Sequence, residues 1–189
     1  MTVERPLLGE PLGLDLLNTT WIDRGNRRDM LDDLDGTRQW MVEAGLAPAA
    51  GDPAGQPAAG EPAGESVRRS LVAAREAIRA HVDDPGSESA RVALNEVLSW
   101  GRTRPLLGPE GPGTANELDD PSRRAGWAAA VNYLELLAGD ASRIRRCAHP
   151  ECVLYFYDTS PKRSRRWCSM AGCGNRAKAA RHYARSKQS

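Results

Sequence analysis

Apolar positions recur at intervals of three and four over most of the chain. Residues 12–22, LGLDLLNTTWI, put Leu14, Leu17 and Trp21 at helical spacing, and residues 29–45 do the same with Leu31, Leu34, Trp40, Met41 and Ala44, with Gly45 as a C-terminal stop. From Ser66 an amphipathic helix is expected, with Val67, Leu71, Ala74, Ile78 and Val82 inward and Arg68, Arg69, Arg75, Glu76 and Arg79 between them. A further helix runs from Ser87 as N-cap to Trp100, with Leu94, Val97 and Leu98 inward and Gly101 as its stop. The clearest helical pattern begins at Asp120 as N-cap with Pro121 at the first helical position, carries Trp127, Val131, Leu134 and Ala138 on one face, and stops at Gly139.

Two stretches interrupt this pattern. Residues 47–65 contain nothing apolar and larger than Ala or Pro, so they cannot bury enough surface to offset the entropy of ordering and are expected to be a flexible surface loop. Residues 101–119, broken by three prolines and four glycines, are expected to hold at most a short β-hairpin around Gly108 to Gly113. The run GPEGPG is not a phosphate loop, because it lacks the Lys-Ser/Thr pair and its prolines remove backbone donors. One polar set, Asp15, Asn18 and Thr19, lies within the first apolar helix, where it reads either as the lining of a small-molecule pocket or as local capping.

From residue 147 onward the periodicity changes character. All four cysteines lie there, as Cys147-x4-Cys152-x15-Cys168-x4-Cys173. Two equally spaced pairs suit a tetrahedral metal, each pair wrapping the ion by a tight turn. Between the pairs, Val153 to Tyr157 is β-branched and aromatic, Asp158 to Pro161 a turn, and Arg165 to Trp167 a return strand, so a hairpin is expected with Leu154 and Phe156 on one face and Tyr155 and Tyr157 on the other. Cys173 then opens a helix whose small face, Cys173, Ala177, Ala180 and Ala184, is expected to lie against the hairpin, while Lys178, Arg181 and Arg185 look outward. The expected architecture is mainly α: an acidic helical domain over residues 1–139, followed by a small treble-clef-like zinc module over 140–189 built from knuckle, hairpin and helix. One structural Zn2+ is the cofactor, held by the four cysteines, with His149 and His182 in surface or supporting roles. His81 reads as a surface or capping residue.

Charge sharpens this division. The whole chain carries a formal +1, yet residues 140–189 hold twelve Lys or Arg against three acids, which leaves −8 on residues 1–139. Opposite charges of this size suggest that the acidic part masks the basic one until a signal or a polyanion competes. The start MTVERPLLGEPLGLDLL has no basic segment leading into an apolar run, and no stretch approaches the length of a membrane span, so a soluble cytoplasmic protein without membrane contact is expected. In a reducing compartment clustered cysteines favour metal over disulfides. Linear motifs for the common nucleophile, zinc-protease and dinucleotide sites are missing, so no catalysis is expected.

The cysteine region resembles the CGNR zinc-finger family, named for the tetrapeptide standing here as Cys173-Gly174-Asn175-Arg176. The likeness extends over Arg146-Cys147-Ala148-His149-Pro150-x-Cys152, Phe156-x-Asp158-x-Ser160, Arg165-Arg166-Trp167-Cys168-Ser169-Met170, Ala177-Lys178-Ala179 and Arg181-His182-Tyr183. More weakly, Gly13 to Thr19 and Trp40 resemble the ABATE-type region that precedes the finger in such bacterial proteins. The resemblance implies a stress-induced transcription regulator whose finger binds DNA. Arg163, Arg165, Arg166, Lys178, Arg181 and Arg185 are the expected phosphate contacts, with Arg176 either joining them or bracing the hairpin. The competing reading is a zinc-stapled protein- or RNA-interaction module, with Tyr155 and Tyr157 stacking bases and the helical part sensing a ligand or partner.

Overall fold

The computed structural model of the protein describes residues 4–47 and 64–187, apart from the side chains of Arg181, His182 and Ala184. Most of the stretch expected to be a flexible loop, 48–63, therefore lies outside the described residues. Six α-helices and three separate two-stranded antiparallel sheets make up the described fold.

The first apolar segment is not one helix. Helix α1 covers only Leu12–Leu17, and Trp21 belongs to a strand, β1 (Thr20–Asp23), paired with β2 (Asn26–Asp29). The two strands turn at Arg24 and Gly25, both with positive φ (50° and 83°), which is the backbone a two-residue hairpin of matching twist requires. Thr19 and Thr20 favour extended backbone, which ends the helical pattern early. After a 3-10 turn, Asp33 caps α2 (Leu34–Glu43) by accepting from the Gly36 N–H, and Gly45 with φ 68° terminates it.

Helices α3 (Glu65–Asp83) and α4 (Glu88–Leu98) follow the expected periodicity, with Val67, Leu71, Ala74, Ile78, Leu94 and Val97 buried and Ser87 capping α4. The next segment forms a longer hairpin than expected: β3 (Gly101–Gly108) and β4 (Gly111–Leu118) pair along their whole length. Pro105 and Pro112 fit because a proline is tolerated in a two-stranded ribbon whose outer edges face solvent. Arg102 and Arg104 both bind Glu117 across the strands, and Thr103 pairs with Asn116.

Helix α5 (Arg124–Asp140) runs past Gly139, and its inner face differs from the expected one. Trp127 is buried as expected, but Leu134 is exposed, and Gly126, Ala129, Ala130 and Tyr133 complete the buried face. Small residues let the neighbouring helices approach closely: a Cβ on Gly13 of α1 would lie 2.8 Å from the Ala129 carbonyl oxygen. A short 3-10 turn then leads to β5 (Ile144–Arg146), which pairs with β6 (Tyr155–Tyr157) on the far side of the first cysteine pair.

One buried ion pair fastens the N-terminal hairpin to α3. Arg75 donates to both carboxylate oxygens of Asp29, at 2.6 and 2.8 Å, and to the Thr19 hydroxyl at 2.9 Å. Burial raises the Asp29 pKa, but the Arg75 hydrogen bonds and charge outweigh it and hold the carboxyl below its ordinary value. A depressed folded-state pKa stabilises above the unfolded value and is lost as pH falls through the folded one. The stability gap between wild type and Asp29→Asn, measured by urea unfolding, should therefore be about 2 kcal/mol and constant above about pH 5. Below that it should shrink; a gap independent of pH down to about 3 would show that Asp29 ionisation contributes nothing.

Candidate metal centre and nucleic-acid interface

The four cysteine thiols converge. Their Sγ atoms all lie within 4.8 Å of one another and all four residues are buried. Cys152 and Cys168 Sγ are 3.8 Å apart and Cys168 and Cys173 Sγ 3.6 Å. Bonds of about 2.3 Å from zinc to each sulfur of a tetrahedron put the sulfurs about 3.8 Å apart, so the donor set fits one structural Zn2+ in both chemistry and size. Four clustered thiols cannot all ionise unaided. The bond with Cys168 draws the Cys152 thiol down to about 5, while that same bond and burial push Cys168 up and burial pushes Cys173 to about 11. A divalent cation resolves this conflict by holding all four as thiolates.

Local backbone chemistry shapes each pair. In the first knuckle the Cys152 N–H donates to the His149 carbonyl and the Cys147 N–H to the Leu154 carbonyl, both at 2.9 Å. His149 Nδ1 accepts the Glu151 N–H at 3.3 Å, so this histidine supports the turn. In the second, Ser169 caps a π-turn (Met170–Gly174) that carries Cys173 into α6 (Asn175–Ser186). Each residue of the CGNR tetrapeptide has a physical role here. Cys173 supplies a thiol, Gly174 leaves room for Met170 Sδ, Asn175 donates to the Ala171 carbonyl, and Arg176 donates to Cys173 Sγ at 3.1 Å, where it offsets thiolate charge.

The strand pairing corrects one expectation. Residues 165–167 are not the partner strand of 155–157; β6 pairs with β5, and the Arg166 carbonyl instead accepts from the Ala148 N–H in the knuckle. Asp158 diverts the chain. Fully buried, it accepts the Ser160 and Arg165 N–H groups at 2.9 and 3.0 Å and closes the 158–165 loop as a side-chain turn.

Nor does the alanine face of α6 cover the hairpin: Ala180 is exposed and Ala177 only half-buried. That place is already filled from the N-terminal side, where α1 packs on β6. Asn18 bonds both backbone groups of Tyr155, donating to its carbonyl and accepting its N–H at 2.9 Å each, much as a neighbouring strand would. Glu10 accepts the Tyr157 N–H at 2.8 Å and the Arg165 guanidinium at 3.0 Å. Tyr155 donates its hydroxyl to Asp83 and lies under Arg79; burial and the Asp83 carboxylate hold its phenol at about 12. The finger's Leu154, Tyr155 and Phe156 thus belong to the same buried core as α1, α3 and α5.

The three polar residues within the first apolar segment are buried and meet different partners. Thr19 bonds the Leu16 carbonyl and Arg75, Asn18 closes the edge of β6, and Asp15 borders a cavity near Arg5. His81 bonds the Tyr133 hydroxyl at 2.9 Å. Of the basic residues, Arg165 is half-buried and engaged within the chain: it stacks 4.2 Å above Phe156 and binds Glu10 and the Cys168 carbonyl. Arg163 pairs with Asp140 at 2.9 Å yet remains exposed, and Arg166, stacked 5.2 Å over Trp167, is exposed too. Arg176, Lys178 and Arg185 are exposed around α6, whereas the Arg181 side chain lies outside the described residues. Glu10, Arg79 and Asp83 were not foreseen, since partners 72 to 155 positions apart leave no local signal.

Residues 143–186 match the CGNR zinc finger, and residues 10–140 match ABATE, whose description reads "Putative stress-induced transcription regulator". The chain belongs to the ABATE family. Its CGNR finger follows the ABATE region directly, and Glu10 and Asn18, which hold the finger, lie in the first residues of the ABATE match. None of the curated proteins matches this ABATE protein. The two family matches support a transcription regulator carrying a zinc finger. None of its described helices is long and apolar enough to cross a membrane.

Proposed function

We propose that this ABATE protein regulates transcription by binding duplex DNA through the basic surface of its CGNR finger. The observation that carries the reading is the concentration of exposed positive charge after Asp158. Beyond Asp158 the chain has nine Lys or Arg and no acid, and Arg163, Arg166, Arg176, Lys178 and Arg185 are exposed around the zinc staple. Each cation that meets a phosphate releases condensed counterions, so binding of this kind is strong at low salt and falls steeply as salt rises. Zinc is structural in this scheme: the thiol cluster fixes the knuckle and the start of α6, and the side chains around them meet the phosphates. The RNA-stacking alternative loses its main support, because Tyr155 is buried against Asp83 and Arg79.

Salt titration of the zinc-loaded protein against a duplex tests the reading. Lys178→Ala should weaken binding about equally for unrelated duplex sequences and reduce the log–log salt slope by about one. Absence of duplex binding at low salt with stoichiometric zinc present would refute it.

A further inference from the structure

Among the described residues only two that are not glycine have left-handed backbone, Arg24 at φ 50° and Arg163 at φ 49°, and both are exposed arginines outside helices and strands. Such backbone favours Gly or Asn, and Asn-Gly is the preferred pair for a two-residue hairpin turn, so Arg24 stands where another residue would turn β1 into β2 at lower cost. A long cation kept at a conformational cost points to a use for its side chain. The turn lies in Asp23-Arg24-Gly25-Asn26-Arg27-Arg28, three arginines against one acid, within the part of the chain that carries a formal −8. The Arg24 side chain makes no ion pair among the described residues. Arg27 reaches Asp29 at 3.5 Å, but Arg75 already holds that carboxylate, and Arg28 reaches Asp23 at 3.9 Å; the two arginine side chains are 65% and 59% exposed. Opposite Ile22 and Trp21 in the register, Arg27 and Arg28 occupy the two faces of the ribbon, with Arg24 at its end.

We propose that the tip of the β1–β2 hairpin is a second DNA contact, where Arg24, Arg27 and Arg28 meet phosphates of the duplex that the finger binds. This rests on the duplex-binding reading of the finger and adds a separate surface from the ABATE part. A ribbon with cations on both faces and at its end suits a groove walled by phosphates on either side, and the major groove is wide enough to admit two strands. Each guanidinium offers a phosphate two parallel N–H donors. The exposed pairs with Asp23 and Asp29 are long and worth little in water, so a phosphate displaces them readily. Hairpin and finger stand on one support: Asn18, which bonds both backbone groups of Tyr155, is followed at once by Thr19 and the start of β1 at Thr20.

The test uses Arg24→Asn in the zinc-loaded full chain, because Asn-Gly keeps the turn and removes only the cation. Its urea midpoint should equal or exceed that of wild type, while duplex affinity falls by about tenfold at ~0.1 M salt and the log–log salt slope drops by about one. Adding Arg27→Gln and Arg28→Gln should bring the total loss of slope to about two to three. Arg91→Gln, which removes an exposed cation of α4 that pairs with Glu88, should leave affinity and slope unchanged. An equal loss in Arg91→Gln would mean that only overall charge matters and would overturn the site. A lower urea midpoint in Arg24→Asn with unchanged affinity would overturn it too, by assigning Arg24 to the fold. The two readings fail differently: wild-type protein that binds no duplex refutes both, whereas wild-type binding that Lys178→Ala weakens and Arg24→Asn does not overturns the hairpin contact alone.

Discussion

Cys168→Ser is expected to reduce zinc from one per chain to none and to unfold the finger. Structural zinc of this kind contributes about 10–16 kcal/mol of apparent binding energy, far more than a module this small gains from its own core. Cys168 lies between Cys152 and Cys173, 3.8 and 3.6 Å away, so its loss opens both halves of the site. The damage should not stop at the finger. Leu154, Tyr155 and Phe156 are buried together with α1, α3 and α5, so the thermal midpoint of the helical part should fall as well. Metal analysis and circular dichroism check both effects, and a stoichiometric zinc retained in the variant would contradict the four-cysteine site.

Phe156→Ala should be the most damaging change that leaves all four ligands in place. The ring is fully buried, sits under the Arg165 guanidinium, and lies on the strand flanked by the Asn18 and Glu10 bonds. Removing such a ring costs about 3–5 kcal/mol through lost burial and the cavity left behind. Urea unfolding followed by tryptophan fluorescence measures it, and the loss should appear in the transition of the whole protein. A change below about 1 kcal/mol would mean that the ring is not part of the shared core.

Much of this structure was legible in the sequence, for reasons that differ between elements. The zinc ligands were readable because metal geometry imposes a spacing, and the equal pairs Cys147/Cys152 and Cys168/Cys173 carry it. Helices α3 and α4 were readable because one face of each is apolar over several turns. Helix α5 was placed and its Trp127 is buried, but the rest of its face was only partly legible: Gly126, Ala129 and Ala130, whose value lies in close approach, are buried while Leu134 is exposed. Strands β1 and β2 were hidden because Leu14, Leu17 and Trp21 keep helical spacing although the chain leaves the helix at Asn18. The pairing of β6 with β5 was misread because an adjacent turn, Asp158 to Pro161, suggested a partner downstream, whereas the buried Asp158 side chain uses that turn to divert the chain.

The candidate site shows the same division. Asp15, Asn18 and Thr19 stood out as polar residues in an apolar segment, and each is indeed buried, but their partners come from Arg5, Tyr155 and Arg75 rather than from one pocket. Arg165 looked like one more phosphate contact in a basic run. The structure shows it half-buried and already in contact with Phe156, Glu10 and the Cys168 carbonyl. A charge run says how many cations a segment carries; which of them face water depends on contacts from the other end of the chain.

The shared core of finger and helices is tested most directly by native-state hydrogen exchange on the zinc-loaded full chain. The Tyr155 and Tyr157 amides, which donate to Asn18 and Glu10, should open with the same free energy as the amides of α5, within about 1 kcal/mol, because they lie in one cooperative unit. Exchange of these two amides through a much lower-energy opening, with α5 still protected, would show instead that the finger moves as a module of its own.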